Sequence, residues 1–316
     1  MTKKRTLLFF PVLALLLAGC TKDFPIDFNP KHPPAPVQIN FTEHNLFPEG
    51  VVYDAIHNWF YVSSADHGTV GIVTFDGIYK PFIMDEMLAH SNGLKVDKAR
   101  QRLWVCDANK GIGAYNLNTG ARLFFADLAG LLPDSSNNLI NDEALDPEGN
   151  VYVTNSFVPV IYKVTREGKA SIFFQNAAFA NPPGGFGFNG IQYDERGFLL
   201  VAFDNKVVKI PVRNPASYSI VQLDAPVSPD GLLLSKDGKQ LVAVDFTKVV
   251  SFISTDEWKS GRLSTSFDVG DVFPTTVTSD GKRVFVVYSY LDKWFAGQEQ
   301  NTFTIQEVPL KKPTQF

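Results

Sequence analysis

A six-residue phrase recurs six times along this 316-residue chain, and it restricts the fold more than any other feature. Each copy has a polar lead residue, usually a glycine next, an apolar stretch, and a closing Asp or Ser. The lead residues are spaced by 43, 49, 48, 41 and 45 positions. They are Glu49, Asn92, Asn141, Asn189, Asp230 and Thr275. Self-similarity at this period is typical of a β-propeller, in which each repeat forms one sheet.

Short apolar segments separated by turn signals fill each repeat. In the first repeat we predict strands at Val51–Tyr53, Phe60–Ser63, Val70–Phe75 and Tyr79–Ile83. Asp76-Gly77 between the last two is a hairpin signal. The pattern predicts an all-β, six-bladed propeller with four antiparallel strands per blade over residues 41–310. A β-sandwich is the alternative, but its turns would not recur on a regular period.

The N-terminus has the features of a bacterial export signal. Basic residues at positions 3–5 precede a short apolar run that ends in Leu17-Ala18-Gly19-Cys20. The run is shorter than the ~20 residues needed to span a bilayer. We therefore predict a lipoprotein signal peptide over residues 1–19 and lipidation of Cys20 after cleavage. Residues 20–40 are Pro-rich and should tether a monomeric domain to the bacterial cell envelope, on the outer membrane or the periplasmic face, through this lipid alone.

Charge and motif content exclude several classes of function. The net charge of −4 argues against a nucleic-acid-binding surface. Sequence signatures of serine hydrolases, zincins and phosphate-binding loops are missing. Cys106 lies in an apolar strand and should be a core residue rather than a nucleophile. His67 and His90 fall in loops predicted at the channel rim, where a His is either a proton acceptor or simply a turn or surface residue.

The lead residues are the candidate functional residues, because equivalent positions in a closed ring converge on its axis. Glu49, Asn141, Asn189 and Asp230 carry the oxygen donors that hard cations prefer. Carboxylates that converge in a confined channel repel each other unless a cation neutralises them. Taken singly, each lead residue is better explained as a turn residue before Gly. Taken together, they predict a divalent metal site, with Ca²⁺ expected and Mg²⁺, Mn²⁺ or Zn²⁺ as other candidates.

These phrases resemble those of the senescence-marker/gluconolactonase family, the regucalcin-like lactonases with six blades. The resemblance covers about residues 40–310 and rests on Pro48-Glu49-Gly50, Asn141-Asp142-Glu143-Ala144-Leu145-Asp146-Pro147-Glu148-Gly149, Phe188-Asn189-Gly190-Ile191 and Pro229-Asp230-Gly231. It implies that Glu49, Asn189 and Asp230 bind the metal. It also implies that Asn141 completes the site and faces the substrate, and that Asp230 accepts a proton during metal-assisted opening of a lactone or related ester.

The chain departs from this family at the substrate side. Sugar-lactonase relatives carry an Arg two residues before the blade-three Asn, where this chain has Leu139. The predicted rim is aromatic instead, so we expect a less polar substrate than a free aldonolactone; the rim residues are Phe157, Phe186, Phe188, Phe246, Tyr290 and Trp294. The Gly/Pro-rich loop 177–188 is either a lid or a long connection. The alternative function is a non-catalytic propeller, similar to NHL-repeat modules, that binds a protein or glycan at its rim.

Overall fold

A computed structural model describes residues 37–134, 137–181, 185–310 and 315–316. The predicted signal peptide, the lipidation site Cys20 and the tether up to residue 36 lie outside these residues. Within them, 25 strands form six sheets, five with four strands and one with five. The predicted six-bladed propeller is confirmed. In the described part of the chain, no helix is both long enough and apolar enough to cross a bilayer.

The blades follow one another along the chain, and in blades one to four the innermost strand comes first. After β1 (Gln38–Thr42), blade one contains β2 (Val51–Asp54), β3 (Trp59–Ser63), β4 (Val70–Val73) and β5 (Tyr79–Ile83). Blade two contains β6 (Ser91–Asp97), β7 (Arg102–Asp107), β8 (Gly111–Asn116) and β9 (Arg122–Asp127). Blade three contains β10 (Ile140–Leu145), β11 (Val151–Asn155), β12 (Val160–Val164) and β13 (Ala170–Gln175).

The second half of the ring follows the same order, except that blade five begins with a short strand on the outer edge of its sheet. Blade four contains β14 (Phe188–Asp194), β15 (Phe198–Phe203), β16 (Lys206–Pro211) and β17 (Ser219–Ile220). Blade five contains β18 (Gln222–Leu223), β19 (Leu232–Leu234), β20 (Gln240–Asp245), β21 (Lys248–Ile253) and β22 (Ser260–Asp268). Blade six contains β23 (Pro274–Ser279), β24 (Val284–Tyr288) and β25 (Thr302–Val308). The helical turns are 3₁₀ segments at Lys98–Arg100, Ala129–Leu131, Ala177–Phe179 and Pro215–Ser217, and one α-helix, α1 (Leu291–Phe295).

The ring is closed by the N-terminal strand. β1 pairs antiparallel with β25 and supplies the outermost strand of blade six, from Gln38 opposite Gln306 to Thr42 opposite Thr302. The tether was expected to reach residue 40, but residues 38–40 belong to this strand. The reason is the alternation of buried Ile39 and Phe41 with exposed neighbours, which is the pattern of a strand with one face on the core.

Close approach of neighbouring inner strands explains why glycine usually follows the lead residue. A Cβ on Gly50 would lie 2.3 Å from the carbonyl oxygen of Asn92, and one on Gly190 would lie 2.2 Å from that of Asp230. Blade six has Thr276 instead, and its hydroxyl donates to the carbonyl of Glu49 at 2.8 Å. The lead carbonyls therefore serve as acceptors or contact points between one blade and the next.

The closing Asp residues form the turns that follow the inner strands. Asp54 accepts a hydrogen bond from the amide of Ile56, and Asp146 accepts one from the amide of Asn150, both at 2.8 Å. The apolar sides of the strands pack between adjacent blades, so that each core cluster joins two neighbours rather than lying inside one sheet. This arrangement leaves the inner ends of the first strands facing the central channel.

Candidate functional site

One cavity at the mouth of the channel collects the predicted site residues. Its volume is about 880 Å³, and Glu49, Asn141, Asn189 and Asp230 all contribute to its lining. Asn92, a lead residue outside the predicted ligand set, also lines it, whereas Thr275 does not. The fold therefore brings the four predicted ligands to one place, although their role remains a prediction.

Irregular strand pairing presents the lead residues to this cavity. In blades three and four the register shifts between Ile140 and Glu143 and between Phe188 and Ile191. The same shift occurs at the lead positions of blades two and six. A β-bulge changes the direction of a side chain that would otherwise point to one face of the sheet. In blades one and five, Glu49 and Asp230 precede the first inner-strand residue.

Two buried oxygen atoms of this set lack a hydrogen-bond partner. They are Oε2 of Glu49 and Oδ1 of Asn141. The orientation of the Asn141 amide is set by its nitrogen, which donates to Oγ of Ser156 at 2.9 Å. Ser156 in turn donates to the carbonyl oxygen of Phe188 at 2.6 Å. Because buried polar atoms are nearly always paired, these two oxygens are the atoms that a bound cation would satisfy.

The two carboxylates of the set are held in an unfavourable charge environment. Burial, together with the nearby charges of Asp230 and Asp142, raises the pKa of Glu49 well above its ordinary value. Burial and Asp142 raise the pKa of Asp230 to about 7, although a hydrogen bond from the Asn189 side chain works in the opposite direction. Within the described residues, no three His, Cys, Asp or Glu side chains converge in an arrangement ready for a metal. The donor set that fits a dication here combines two carboxylates with two amide oxygens.

Two further acidic residues lie beside this set, and the sequence analysis assigned them no role. Asp142 accepts hydrogen bonds from the amides of Glu143 at 2.8 Å and Ile191 at 3.1 Å, so its carboxylate joins blade three to blade four. Glu143 is fully buried and accepts a hydrogen bond from the Cys106 thiol at 3.1 Å. Burial, followed by Asp142, raises the pKa of Glu143 to about 8.

A signal for both residues was present in the repeat. The other copies carry Gly or Thr where blade three has Asp142, and an apolar residue where it has Glu143. Cys106 is buried, as predicted for a core residue, and burial raises the pKa of its thiol well above the ordinary value. A thiol in this state is a poor nucleophile.

The walls of the cavity are largely apolar. Phe157, Phe186, Phe246 and Trp294 line it as predicted, and so does Leu139, which occupies the position of the family's Arg. Two of the predicted rim aromatics do not line it. Phe188 is fully buried in the core between blades three and four, and Tyr290 packs beside the cores of blades one and six. In the loop 177–188, residues 182–184 lie outside the described part, so a lid there stays a prediction.

The two candidate histidines differ in position. His90 lines the cavity, and its Nδ1 donates to the carbonyl of Ala65 at 2.6 Å, which leaves Nε2 as a potential proton acceptor. His67 is not among the cavity residues, and its Nε2 contacts the carbonyl oxygen of His44 at 2.9 Å. Of the two, His90 is the one with access to a bound molecule.

Comparison with solved structures confirms the fold. The major allergen Mala s 1 of Malassezia sympodialis matches with a TM-score of 0.72 at 17% identity, covering 89% of this chain and 97% of the other. A gluconolactonase from Xanthomonas campestris gives 0.60 at 14% identity, covering 85% and 90%. The calcium-binding protein regucalcin from Agrobacterium tumefaciens gives 0.59 at 16% identity, covering 86% and 94%. The last two agree with the resemblance seen in the repeat phrases. No protein-family model and no curated protein matches the sequence.

Proposed function

We propose that the protein is a lipid-anchored, metal-dependent hydrolase that opens a lactone or a related ester at the mouth of its channel. The observation that carries this proposal is the pair of unpartnered, buried oxygens of Glu49 and Asn141, located on the same cavity as Asp230 and Asn189. Two carboxylates and two amide oxygens suit Ca²⁺, and also Mg²⁺ or Mn²⁺. The resemblance to gluconolactonases and the fold of solved lactonases and lyases agree with this chemistry.

Each residue of the set has a task that follows from its position. Glu49, Asn189, Asp230 and Asn141 would hold the cation. When bound, such an ion polarises an ester carbonyl and acidifies water. Asp230, half-buried at the cavity mouth, is the group that would accept a proton from the attacking water. Asn141, fixed by Ser156, would orient the substrate oxygen.

The lipid anchor and the envelope location belong to the same proposal. They are supported by the short apolar run that ends at Cys20. Labelling of cells with radioactive palmitate, on the wild-type chain and on Cys20→Ala, tests the anchor directly.

The proposed chemistry is tested by a lactone and ester panel assayed after EDTA treatment and after adding back Ca²⁺, Mg²⁺, Mn²⁺ or Zn²⁺. Glu49→Gln and Asp230→Ala should each lower kcat/KM by about 10²-fold or more, because each removes a charged ligand. Asp245→Asn is the matched control, because it removes another buried carboxylate of blade five that does not line the cavity. Metal-independent turnover, or equal rates in Asp230→Ala, would refute the proposal.

The alternative, a non-catalytic propeller that binds a protein or glycan at the rim, is favoured by the missing Arg at Leu139. It predicts no turnover with any metal on the whole panel. It also predicts that Glu49→Gln leaves binding of the partner unchanged, because the ligand would contact the rim rather than the oxygen donors.

A further inference from the structure

All the exposed aromatic side chains in the described residues belong to one cavity. Four Phe residues are exposed, while the described Tyr and Trp side chains are buried or half-buried. The four are Phe157, Phe186, Phe246 and Phe295, exposed by 40, 44, 59 and 62%, and each lines the cavity that holds the lead residues. An exposed apolar patch confined to one concave site marks a place for a ligand rather than a random surface feature.

The aromatic rings of the cavity fall into two groups of contacting rings, which come from different blades. Phe157 and Phe186 stack at 6.3 Å between centroids, with an interplanar angle of 12°. We call the larger group the five–six wall, because it comes from loops of those blades; it consists of Phe246, Phe273, Trp294 and Phe295. Its rings touch in series, Phe246 to Phe273 at 6.3 Å, Phe273 to Phe295 at 6.2 Å, and Phe295 to Trp294 at 5.5 Å.

Phe273 in the five–six wall and Tyr290 near it have strained backbone conformations. Phe273 has a φ of 47°, and Tyr290, which precedes α1, has a φ of 54°. Such left-handed conformations disfavour bulky residues and are usually given to Gly or Asn. Phe273 therefore holds its place in the wall at an energetic cost, as Phe47 and Trp258 do in the buried cores.

We propose that the substrate is a lactone or ester bearing a medium-length alkyl or acyl arm, and that this arm lies along the five–six wall. The oxygen donors would hold the reacting carbonyl at one end of the cavity, while Leu139 and Leu291 extend the apolar lining. A volume of about 880 Å³ is at the upper end of the range for drug-sized ligands, so a small polar ring alone would leave most of it unused. That the substrate carries a lactone or ester group rests on the proposed hydrolase function. That it carries an alkyl or acyl arm is inferred from the five–six wall.

The experiment is a chain-length series. The values of kcat/KM are measured for γ-lactones with unbranched side chains of increasing length, on the wild type and on the double variant Phe246→Ser/Phe295→Ser. Each buried methylene should raise wild-type kcat/KM about fourfold, mainly through KM, until the wall is covered. In the double variant the rise should fall to about twofold or less. Leu123→Ser, a 51% exposed residue on β9 outside the cavity, is the control and should keep the wild-type slope.

A binding measurement separates failure of this inference from failure of the proposed function. Alkyl lactams of the same lengths, which resist hydrolysis, compete with a hydrophobic fluorescent dye in the cavity. If no lactone is hydrolysed but lactam affinity rises with length in the wild type and not in the double variant, the arm site stands and the hydrolase proposal falls. If short lactones are hydrolysed and neither rate nor affinity depends on length, the hydrolase proposal stands and the arm site is overturned.

A membrane-facing rim is the competing explanation of exposed Phe residues. Sedimentation with phosphatidylcholine vesicles, using a chain that begins after Cys20 and so carries neither lipid nor signal segment, distinguishes the two. Binding to vesicles that the double variant loses, together with a flat chain-length profile, would overturn the arm site.

Discussion

Replacing Asp230 by Asn should stabilise the metal-free protein at alkaline pH while removing its response to metal. The fold places the Asp230 carboxyl in an environment that disfavours its charge, since burial and then Asp142 raise its pKa from 3.8 to about 7. The Asp230 charge also raises the pKa of Glu49, so its removal relieves a second group. Asn keeps the shape of the side chain and removes only the charge.

The size and the pH range of the effect follow from this shift. A raised carboxyl pKa means that ionisation costs more in the folded state than in the unfolded chain. The cost is absent below about pH 4, grows as the pH rises towards about 7, and is complete above that value. Three pKa units correspond to an upper limit of about 4 kcal/mol. Because Asp230 is only half-buried, we expect a gain of about 2 kcal/mol for Asp230→Asn above pH 8.

The assay is urea unfolding followed by tryptophan fluorescence, in EDTA, at about pH 8.5 and about pH 4.5. Asp230→Asn should exceed the wild type in free energy of unfolding at the higher pH, and most of this difference should be lost at the lower pH. In saturating Ca²⁺ the order should reverse. The wild type should gain about 2.7 kcal/mol when the free ion is a hundred times its dissociation constant, and the variant should gain nothing.

Asp245→Asn controls for the loss of a buried carboxylate, because Asp245 lies 3.4 Å from Lys248 and outside the cavity. It should show no gain in stability at pH 8.5 and an unchanged response to Ca²⁺. The reasoning is refuted if Asp230→Asn is less stable than the wild type in EDTA at the higher pH. It is also refuted if the effect of the substitution is the same at both pH values.

Three further predictions concern the scaffold. Phe41→Ala should lower the free energy of unfolding in urea by about 3–5 kcal/mol, because Phe41 is a buried residue of the closing strand. Gln38→Ala, on the exposed side of that strand, should change this free energy little. Equal effects of the two substitutions would contradict this account of ring closure. In a Cys20→Ser background, a thiol reagent should label Cys106 only after unfolding, and rapid labelling of the native protein would show that the thiol is not buried. Glu143→Leu should raise the free energy of unfolding above pH 8 by about 1 kcal/mol, because the charge of Glu143 is costly at that pH. A lower free energy of unfolding in the variant at that pH would show that the carboxylate stabilises the fold.

The repeat pattern allowed much of the fold to be predicted, because strand alternation and turn residues are local properties of sequence. The strands of blade one and the turn role of Asp54 are examples. The closing strand could also have been found, since Ile39 and Phe41 alternate with polar residues, but the prolines before it indicated a tether. Its partner β25 is more than 260 residues away, and no local signal identifies such a pairing.

The candidate site was less accessible from the sequence. That Glu49, Asn141, Asn189 and Asp230 share one cavity could be expected from ring symmetry. The register shifts beside these residues could not, because they depend on the partner strand. The same limit applies to rim aromatics, since burial of Phe188 and exposure of Phe186, two residues apart, are decided by packing between blades three and four.

The divergence of the lead residues has a physical basis in the way the blades are joined. Their main-chain carbonyls accept hydrogen bonds from the next blade: the amide of Gly190 donates to the carbonyl of Asp230 at 3.0 Å, and that of Gly231 donates to the carbonyl of Thr275 at 2.9 Å. Two lead side chains also join neighbouring blades, since Asn92 donates to the carbonyl of Ile140 and Thr275 donates to that of Glu49. A carbonyl is supplied equally by Glu, Asn, Asp or Thr. The ring therefore constrains the position after the lead residue, where a side chain would collide with the next blade. The side chains of Glu49 and Asn141 are less constrained, since each leaves a buried oxygen without a hydrogen-bond partner in the cavity lining, and these are the positions where the ring leaves room for selection by what the cavity binds.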